Sequence, residues 1–178
     1  MSPVRALAVL SVAALLLSCD ASDPSGSSDP SGTATGAPQA VEPNATVEYI
    51  VDGDTVDVVI GGDVERVRLI GIDTPETKRP DTDIECYGPE ATAFIEALLP
   101  VGAAVRIERD TVNRDDFGRL LAYVYRAADG IFVNYELVRQ GYAQPLTIEP
   151  NTSHAALFVD ASRSAERDDL GLWSACSN

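Results

Sequence analysis

The sequence contains few of the side chains that bind zinc or copper. It has one histidine, His154, and three cysteines among 178 residues. Zinc and copper centres in proteins are built mainly from histidine and cysteine ligands. His154 lies far along the chain from the acidic motifs described below. The composition therefore argues against a zinc or copper site.

Basic side chains are also scarce. The chain has 13 lysines and arginines against 28 aspartates and glutamates, a formal net charge of −15, and Lys78 is the single lysine. Proteins that hold polyanions usually carry a basic surface. Composition alone therefore argues against a nucleic-acid partner. Any such partner would need a local site that overcomes the unfavourable overall field.

Long hydrophobic runs are absent except at the N-terminus. Arg5 precedes an uncharged apolar run over 6–17, too short to span a bilayer comfortably and typical of a signal peptide, here 1–18. The residues up to Ser18 and Cys19 resemble a bacterial lipoprotein processing site, which would make Cys19 the lipidated N-terminus. Ordinary signal cleavage or a simple membrane anchor are the alternatives. We expect an exported bacterial protein, either secreted or held at the cell surface by this lipid anchor.

Residues 19–43 lack large apolar side chains and are rich in Ser, Gly, Pro and Asp, which predicts a flexible tether. Residues 44–178 are long enough for one compact domain. Export places Cys86 and Cys176 in an oxidising environment, where an even pair favours a disulfide over two free thiols. Nothing indicates an obligate oligomer, so we expect a monomer.

Short β-branched and alternating segments predict five strands, and longer apolar patterns predict about three helices. The strands are expected at 47–51, 55–60, 64–72, 104–109 and 120–125. The helices are expected at 89–99, at 133–140 and from a cap at Asn151 or Ser153 to about 168. This mainly β pattern with added α fits a five-stranded Greek-key barrel, the OB-fold. An open α+β sheet is the alternative.

One predicted hairpin brings carboxylates together. Folding the second and third strands about Gly61 and Gly62 places Asp54 near residues 69–71, with Asp73 just beyond. Clusters of oxygen ligands suit a hard cation, calcium above all. Both aspartates could instead be ordinary turn residues, since Asp-Gly and Asp-Thr-Pro form turns readily.

Several motifs occur in one order along the domain. They are 51–56 (VDGDTV), 67–77 (VRLIGIDTPET), 87–91 (YGPEA), 116–123 (DFGRLLAY), 138–141 (VRQG) and 150–154 (PNTSH). Together they resemble the staphylococcal nuclease (thermonuclease) family over about residues 46–173. The resemblance implies an OB-fold barrel and a calcium-dependent nuclease that cuts DNA and RNA, preferentially single-stranded, to 3′-phosphorylated products.

The same resemblance assigns roles by position. Asp54 and Asp73 would be calcium ligands, with the backbone carbonyl of Thr74 as a third. Glu76 would orient and deprotonate the attacking water. Arg68 and Arg119 would hold the scissile phosphate, which suits planar guanidiniums that stay charged and donate two hydrogen bonds each.

Each role has a plainer alternative. Arg119 could form a surface ion pair with Asp115 or Asp116, Arg68 could lie on a solvated strand face, and Glu76 could be a solvated loop carboxylate. The whole domain could be a nucleic-acid-binding barrel without catalysis, or a lipid-tethered calcium-binding module.

The chain departs from the family pattern where substrate is held. Phe117 stands where a tyrosine is usual, and Asp116 precedes it where a basic residue would help. Residues 143–149 contain none of the tyrosines on which a base usually stacks, and Tyr142 is the nearest candidate to replace them. Stacking contributes roughly 1–3 kcal/mol per base. We therefore expect weaker substrate binding than in a basic relative, with slow association with long polyanions at low salt.

Overall fold

The computed structural model describes residues 39–78 and 83–176. The predicted signal peptide 1–18, Cys19 and most of the tether lie outside these described residues. Within them, Val41 and Asn44 already bond to the domain, because their backbone N–H groups donate to the carbonyls of Ala127 (2.9 Å) and Val105 (3.0 Å).

The first three strands form a continuous antiparallel meander. They are β1 (Ala45–Asp52), β2 (Thr55–Ile60) and β3 (Asp63–Leu69). Both glycines of the β2–β3 turn have positive φ, 62° at Gly61 and 102° at Gly62, which glycine adopts at little cost. The register pairs Thr55 with Arg68. Arg68 therefore lies next to the β1–β2 turn, at the end of the hairpin opposite Gly61 and Gly62.

The predicted third strand, 64–72, is broken in the structure. After β3 the chain turns at Gly71, where φ is 79°, and continues as β4 (Gly71–Asp73). This short strand leaves the main sheet and pairs with β8 (Gln144–Leu146). A Cβ at Gly71 would lie 2.3 Å from the ring of Phe158, so the bend depends on a residue without a side chain.

Two further strands close the barrel. β5 (Ala104–Glu108) pairs with β1 and with β6 (Leu120–Arg126), and β6 also runs parallel to β3. The closed set β3-β2-β1-β5-β6 is the predicted five-stranded OB-type barrel, and the two-residue β7 (Ile131–Phe132) extends it. The β3–β6 pairing excludes the open sheet, because it joins the two ends of the strand order.

Four helices cover the barrel: α1 (Gly88–Leu98), α2 (Val133–Arg139), α3 (Ala155–Arg167) and the short α4 (Leu172–Ala175). The first three match the predicted helices, and α4 was not predicted. No helix in the described ranges has the length and apolarity needed to cross a membrane.

The predicted cap of α3 is wrong. The residue before the helix is His154, and it makes no side-chain capping bond. Asn151 instead bonds the backbone of Val112, and Ser153 bonds Asp110. These side chains bind a distant loop because that loop packs against the start of the helix.

The core lies inside the barrel and under α2 and α3. It is built from aliphatic side chains of every long strand together with Phe158, which is fully buried. His154 packs edge-on to Tyr123 at 4.5 Å between ring centroids. This lone histidine is therefore part of an aromatic cluster.

Cys86 and Cys176 form the predicted disulfide, with Cα atoms 5.9 Å apart. The two-thiol alternative is therefore wrong for this structure. Cys86 lies two residues before α1 and Cys176 directly follows α4, so the bond fixes the end of the segment that follows β4.

Candidate active site

Two turns and one hairpin end surround a polar cavity of about 270 Å³. Asp54 lies in the β1–β2 turn, Asp73 ends β4, and Thr74, Pro75 and Glu76 directly after β4 complete this side of the cavity. The backbone N–H of Leu69 donates to the carbonyl of Asp54 (2.8 Å), which locks this turn to the end of β3. The cavity is lined by Asp52, Asp54, Thr55, Arg68, Asp73, Thr74, Pro75, Glu76, Glu85 and Arg119.

Asp54 is buried, with 7% of its surface exposed, and its carboxylate is held from several sides. Oδ2 accepts hydrogen bonds from the backbone N–H (2.9 Å) and the hydroxyl (3.0 Å) of Thr74. Oδ1 accepts from the hydroxyl of Thr55 (3.2 Å). Gly53 allows this contact, because a Cβ there would lie 2.7 Å from Oγ1 of Thr74. Asp54 is thus more than a turn residue.

Arg68 lies between the two aspartates. Its Nη2 lies 3.1 Å from Oδ2 of Asp54 and 2.9 Å from Oδ1 of Asp73. Nη1 donates to the carbonyls of Leu69 and Ile72, so the guanidinium also spans the β3–β4 bend. The side chain is 14% exposed, which excludes the solvated strand face.

A third aspartate lining the cavity is Asp52. Burial raises the pKa of its carboxyl above the ordinary value, and the negative charge of Asp54 raises the pKa further. The carboxylates of Asp52 and Asp54 thus lie close enough to disfavour each other's charge. A cation placed among these oxygens would relieve this repulsion.

Glu76 lies two residues beyond Thr74 on the segment after β4. Its Oε1 accepts from the backbone N–H groups of Thr77 (2.9 Å) and Lys78 (2.8 Å), which fold the carboxylate back onto its own loop. Its backbone N–H donates to Oε2 of Glu85 (2.9 Å), and the N–H of Glu85 donates to its carbonyl (2.9 Å). Glu85 thus clamps the backbone at Glu76.

Arg119 enters the cavity from the turn before β6. Its Nε lies 2.7 Å from Oδ2 of Asp115, so the ion pair considered from the sequence is present, with Asp115 as the partner. Burial by itself raises the pKa of Asp115, but hydrogen bonds from the Arg119 side chain and backbone outweigh burial and lower the pKa overall. The pairing orients Arg119 without removing it from the cavity.

A second cavity of about 310 Å³ adjoins the first and is mainly apolar. Arg68 and Arg119 form the wall between the two, and Leu146, Ile148 and Phe117 lie on the outer side. Phe117 is 86% exposed and stacks loosely on Arg119, with 5.6 Å from the guanidinium carbon to the ring centroid.

Tyr142 does not replace the missing tyrosines. Its ring stacks on Phe94 of α1 at 4.1 Å and on Tyr87 at 5.3 Å between centroids. Neither cavity is lined by Tyr142. The aromatic substitute suggested by the sequence is therefore a packing residue between α1 and the chain after α2.

All the predicted catalytic and metal residues within the described part of the chain line one cavity: Asp54, Arg68, Asp73, Thr74, Glu76 and Arg119. Sequence reasoning missed Asp52 and Glu85. Asp52 had a signal, its place in the same Asp-Gly-Asp turn as Asp54. Glu85 had only its position directly before Cys86.

The carboxylate and carbonyl oxygens of this cavity are the type of ligand that a hard cation prefers. In the described part of the chain no three His, Cys, Asp or Glu side chains converge as a ready-made metal centre. Asp54 and Asp73 instead share Arg68. Any metal would therefore use these two carboxylates together with carbonyl and water oxygens, as calcium and magnesium commonly do.

The chemistry available is that of phosphoryl transfer. Two guanidiniums face a pocket that also contains a loop carboxylate and a pair of aspartates. Guanidiniums placed where negative charge accumulates stabilise a phosphorane-like transition state, and a nearby carboxylate can accept a proton from water.

Comparison with known proteins agrees with this geometry. Residues 66–175 match the family model described as staphylococcal nuclease homologue. The chain is 39% identical over 127 residues to a thermonuclease of Staphylococcus intermedius, covering 71% of this chain and 74% of that protein.

Two further relatives extend the comparison. A thermonuclease of Staphylococcus hyicus is 34% identical over 139 residues, with 78% and 80% covered. Endonuclease YncB of Bacillus subtilis is 38% identical over 133 residues, 74% of this chain and 62% of that protein. The chain therefore belongs to the staphylococcal nuclease family, and by family it is a nuclease, a phosphodiester hydrolase.

Proposed function

We propose that this protein is an exported, calcium-dependent nuclease that hydrolyses DNA and RNA, single strands preferentially, to 3′-phosphorylated products. The observation that carries the proposal is the convergence of Arg68, Arg119 and Glu76 with the Asp54–Asp73 pair around one cavity of about 270 Å³. Each of these residue types has a distinct task in phosphodiester hydrolysis.

Arg68 and Arg119 bind the scissile phosphate in this proposal. Both guanidiniums lie on the wall shared by the polar and apolar cavities, so a phosphate between them places its attached nucleoside against the apolar side. Both now contact carboxylates, and phosphate binding requires them to exchange some of these contacts. Arginine donors that tighten on the transition state lower the barrier more than donors that bind the substrate alone.

Glu76 is the general base. Its carboxylate is anchored by two backbone N–H groups of its own loop, which hold it at the cavity edge. A positioned general base accelerates such reactions by roughly 10²–10⁴-fold. The clamp from Glu85 supports this role, because it fixes the backbone from which the Glu76 side chain extends.

Asp54, Asp73 and the backbone carbonyl of Thr74 are the proposed calcium ligands. The oxygen-rich lining of the cavity, in which Asp52 lies beside these carboxylates, supports a hard cation at this position. When bound, calcium would supply Lewis-acid stabilisation of charge on the phosphate. Asp73 is accessible to an ion from solvent, with 59% of its side chain exposed.

Export is part of the proposal. The Cys86–Cys176 disulfide and the similarity to thermonucleases support it, since disulfides persist in oxidising compartments. We propose that residues 1–18 are a signal peptide and that Cys19 carries a lipid anchor, so that a monomeric domain acts at the cell surface or after release.

A binding module without catalysis is the second candidate. One observation favours it: Asp73 and Asp115 already pair with Arg68 and Arg119, which leaves these guanidiniums less able to stabilise the charge that builds up on phosphate during hydrolysis. Such a module would bind nucleic acid or calcium and leave the phosphodiester intact.

Hydrolysis of single-stranded DNA by the disulfide-bonded protein, with calcium and then with chelator, tests the proposal. We expect calcium-dependent cleavage and 3′-phosphate ends. Glu76→Gln should lower kcat by roughly 10²–10⁴-fold, the contribution of a general base, while calcium-dependent binding of substrate persists. The control is Glu96→Gln, the same substitution at an exposed position of α1, which should leave kcat unchanged. Binding without cleavage by the folded wild-type protein would favour the module instead.

A further inference from the structure

The arginines next to the site are already paired with acids. On β3, Nε and Nη2 of Arg66 donate to the two carboxylate oxygens of Asp57 at 2.8 and 2.9 Å. In the turn before β6, Arg114 holds both oxygens of Glu65 at 2.9 and 2.7 Å. Two-point pairs of this kind satisfy the guanidinium in its favoured geometry. A phosphate beside the scissile one must therefore compete with Asp57 and Glu65 for these guanidiniums, so Arg66 and Arg114 add little net attraction for a strand.

The groups that remain beside the cavity are mostly negative. Its lining contains five carboxylates and two guanidiniums. Asp116, exposed in the same turn as Phe117, adds a further acid at the edge of the apolar cavity.

These charges lie within electrostatic range of the phosphates next to the scissile one. Adjacent phosphates on a strand are separated by only several ångströms, and the Debye length is about 10 Å at 0.1 M salt. A strand whose scissile phosphate reaches Arg68 and Arg119 brings its flanking phosphates toward the acids at the edges of the two cavities, Glu85 and Asp116, which are not among the proposed calcium ligands. The phosphate at the centre is attracted, and its neighbours are repelled.

We propose that the site selects short oligonucleotides and strand segments with few flanking phosphates, and discriminates against long polyanionic strands at low salt. This inference rests on the proposed nuclease function and specifies its substrate class. In a basic nuclease every additional phosphate adds affinity through counterion release. In this chain each additional phosphate lowers kcat/KM.

The test compares two short single-stranded oligonucleotides of one sequence. In the first, every linkage is a phosphodiester. In the second, only the central linkage is a phosphodiester, and all the flanking linkages are neutral methylphosphonates. At about 0.01 M salt, where the Debye length is about 30 Å, we expect the neutral-flank oligonucleotide to have the higher kcat/KM. At about 1 M salt, with a Debye length of about 3 Å, the two values should converge.

A pair of variants assigns the effect to local charge. Asp116→Asn removes one acid beside the apolar cavity and should raise kcat/KM for the all-phosphate oligonucleotide about threefold at low salt, the effect of one unit charge several ångströms away in water. It should leave the neutral-flank value unchanged. Asp63→Asn makes the same charge change at the β2–β3 turn, the opposite end of the hairpin from Arg68, and should change neither value.

The outcomes separate the two proposals. Cleavage of both oligonucleotides with equal or higher kcat/KM for the all-phosphate form would overturn the preference for few phosphates and leave the nuclease function standing. Cleavage of neither would overturn the nuclease function, and the inference with it. A threefold rise in Asp63→Asn equal to that in Asp116→Asn would show that total charge, not the charge beside the site, sets the rate.

Discussion

At the scale of single residues, Gly71 decides how the site is assembled. It separates β3, which carries Arg68, from β4, which carries Asp73. Its φ of 79° turns the chain between them, and the ring of Phe158 fills the space where a side chain would lie. The packing of Gly71 against α3 thus helps to set the distance between the Arg68 guanidinium and the Asp73 carboxylate.

We expect Gly71→Ala to lower the melting temperature markedly. A positive φ disfavours alanine by about 1 kcal/mol, and overpacking against Phe158 adds about 1–3 kcal/mol. Gly102→Ala is the matched control, because φ there is 85° and nothing lies within 4 Å of the added Cβ. Thermal unfolding of both variants separates strain from clash. Equal shifts would show that Phe158 moves aside without cost.

At the scale of elements, the carboxylate of Asp110 and the amide of Asn151 fasten the loop after β5 to the chain before α3. Oδ2 of Asp110 accepts hydrogen bonds from the hydroxyl of Tyr123 (2.9 Å) and the backbone N–H of Ser153 (3.0 Å). Burial by itself raises the pKa of Asp110, but the hydrogen bonds from Ser153 and Tyr123 outweigh it and lower the pKa below 3.8.

A lowered carboxyl pKa fixes the sign of the pH dependence. The ionised carboxylate stabilises the fold at pH above 3.8, its ordinary value, and this contribution is lost as pH falls through the lower pKa of the folded state. Asp110→Asn should therefore reduce stability by about 1–3 kcal/mol at neutral pH. The deficit should shrink below pH 3.8. A deficit in melting temperature that stays constant with pH would contradict a role for the charge.

The disulfide ties the end of the active-site segment, just before α1, to the residue after α4. Cys86 directly follows Glu85, whose carboxylate and N–H both bond the backbone of Glu76. The bond closes a chain separation of 90 residues, for which chain entropy predicts about 4–5 kcal/mol of stabilisation. It therefore anchors both the fold and the end of the segment that carries the proposed base.

We expect Cys86→Ser with Cys176→Ser to lower the melting temperature and, at a temperature where the variant stays folded, to lower kcat more than it raises KM. The reason is that Glu85, which bonds the backbone of Glu76, is no longer anchored by the disulfide. The ion pairs that position Arg68 and Arg119 do not depend on that bond. Wild-type protein reduced with a thiol is the control and should match the variant. An unchanged kcat in folded, reduced protein would show that the Glu85 clamp holds without the disulfide.

At the scale of the whole molecule, the net charge of −15 means that the excess acidic side chains repel one another despite many local ion pairs. Pairs such as Arg126–Asp129, at 2.6 Å, offset charge only over short distances. Repulsion among the remaining acids acts over the Debye length, which shortens from about 30 Å at 0.01 M salt to about 8 Å at 0.15 M.

We therefore expect the melting temperature to rise with sodium chloride between these concentrations, measured with a chelator present so that calcium does not contribute. Potassium chloride at the same ionic strength is the control and should raise the melting temperature equally, since screening depends on ionic strength and not on the identity of the cation. A falling melting temperature would mean that the surface ion pairs, which salt weakens, outweigh the overall repulsion.

The sequence by itself determined most of the barrel and the members of the site. Strand β2 was predicted at its observed bounds, because a run of β-branched residues lies between two glycine-containing turns and this pattern is local. Asp54, Arg68, Asp73, Thr74, Glu76 and Arg119 were found from ordered motifs. The disulfide followed from an even pair of cysteines in a chain with a predicted export signal.

Only the tertiary structure decided which groups meet. The break between β3 and β4 depends on Phe158, which lies 87 residues after Gly71 in the chain. The choice of Asp115 for Arg119, the clamp from Glu85 and the stacking of Tyr142 on Phe94 likewise depend on how packed elements approach each other. Local sequence sets backbone preference, but side-chain partners are selected by the three-dimensional packing of residues distant in the chain.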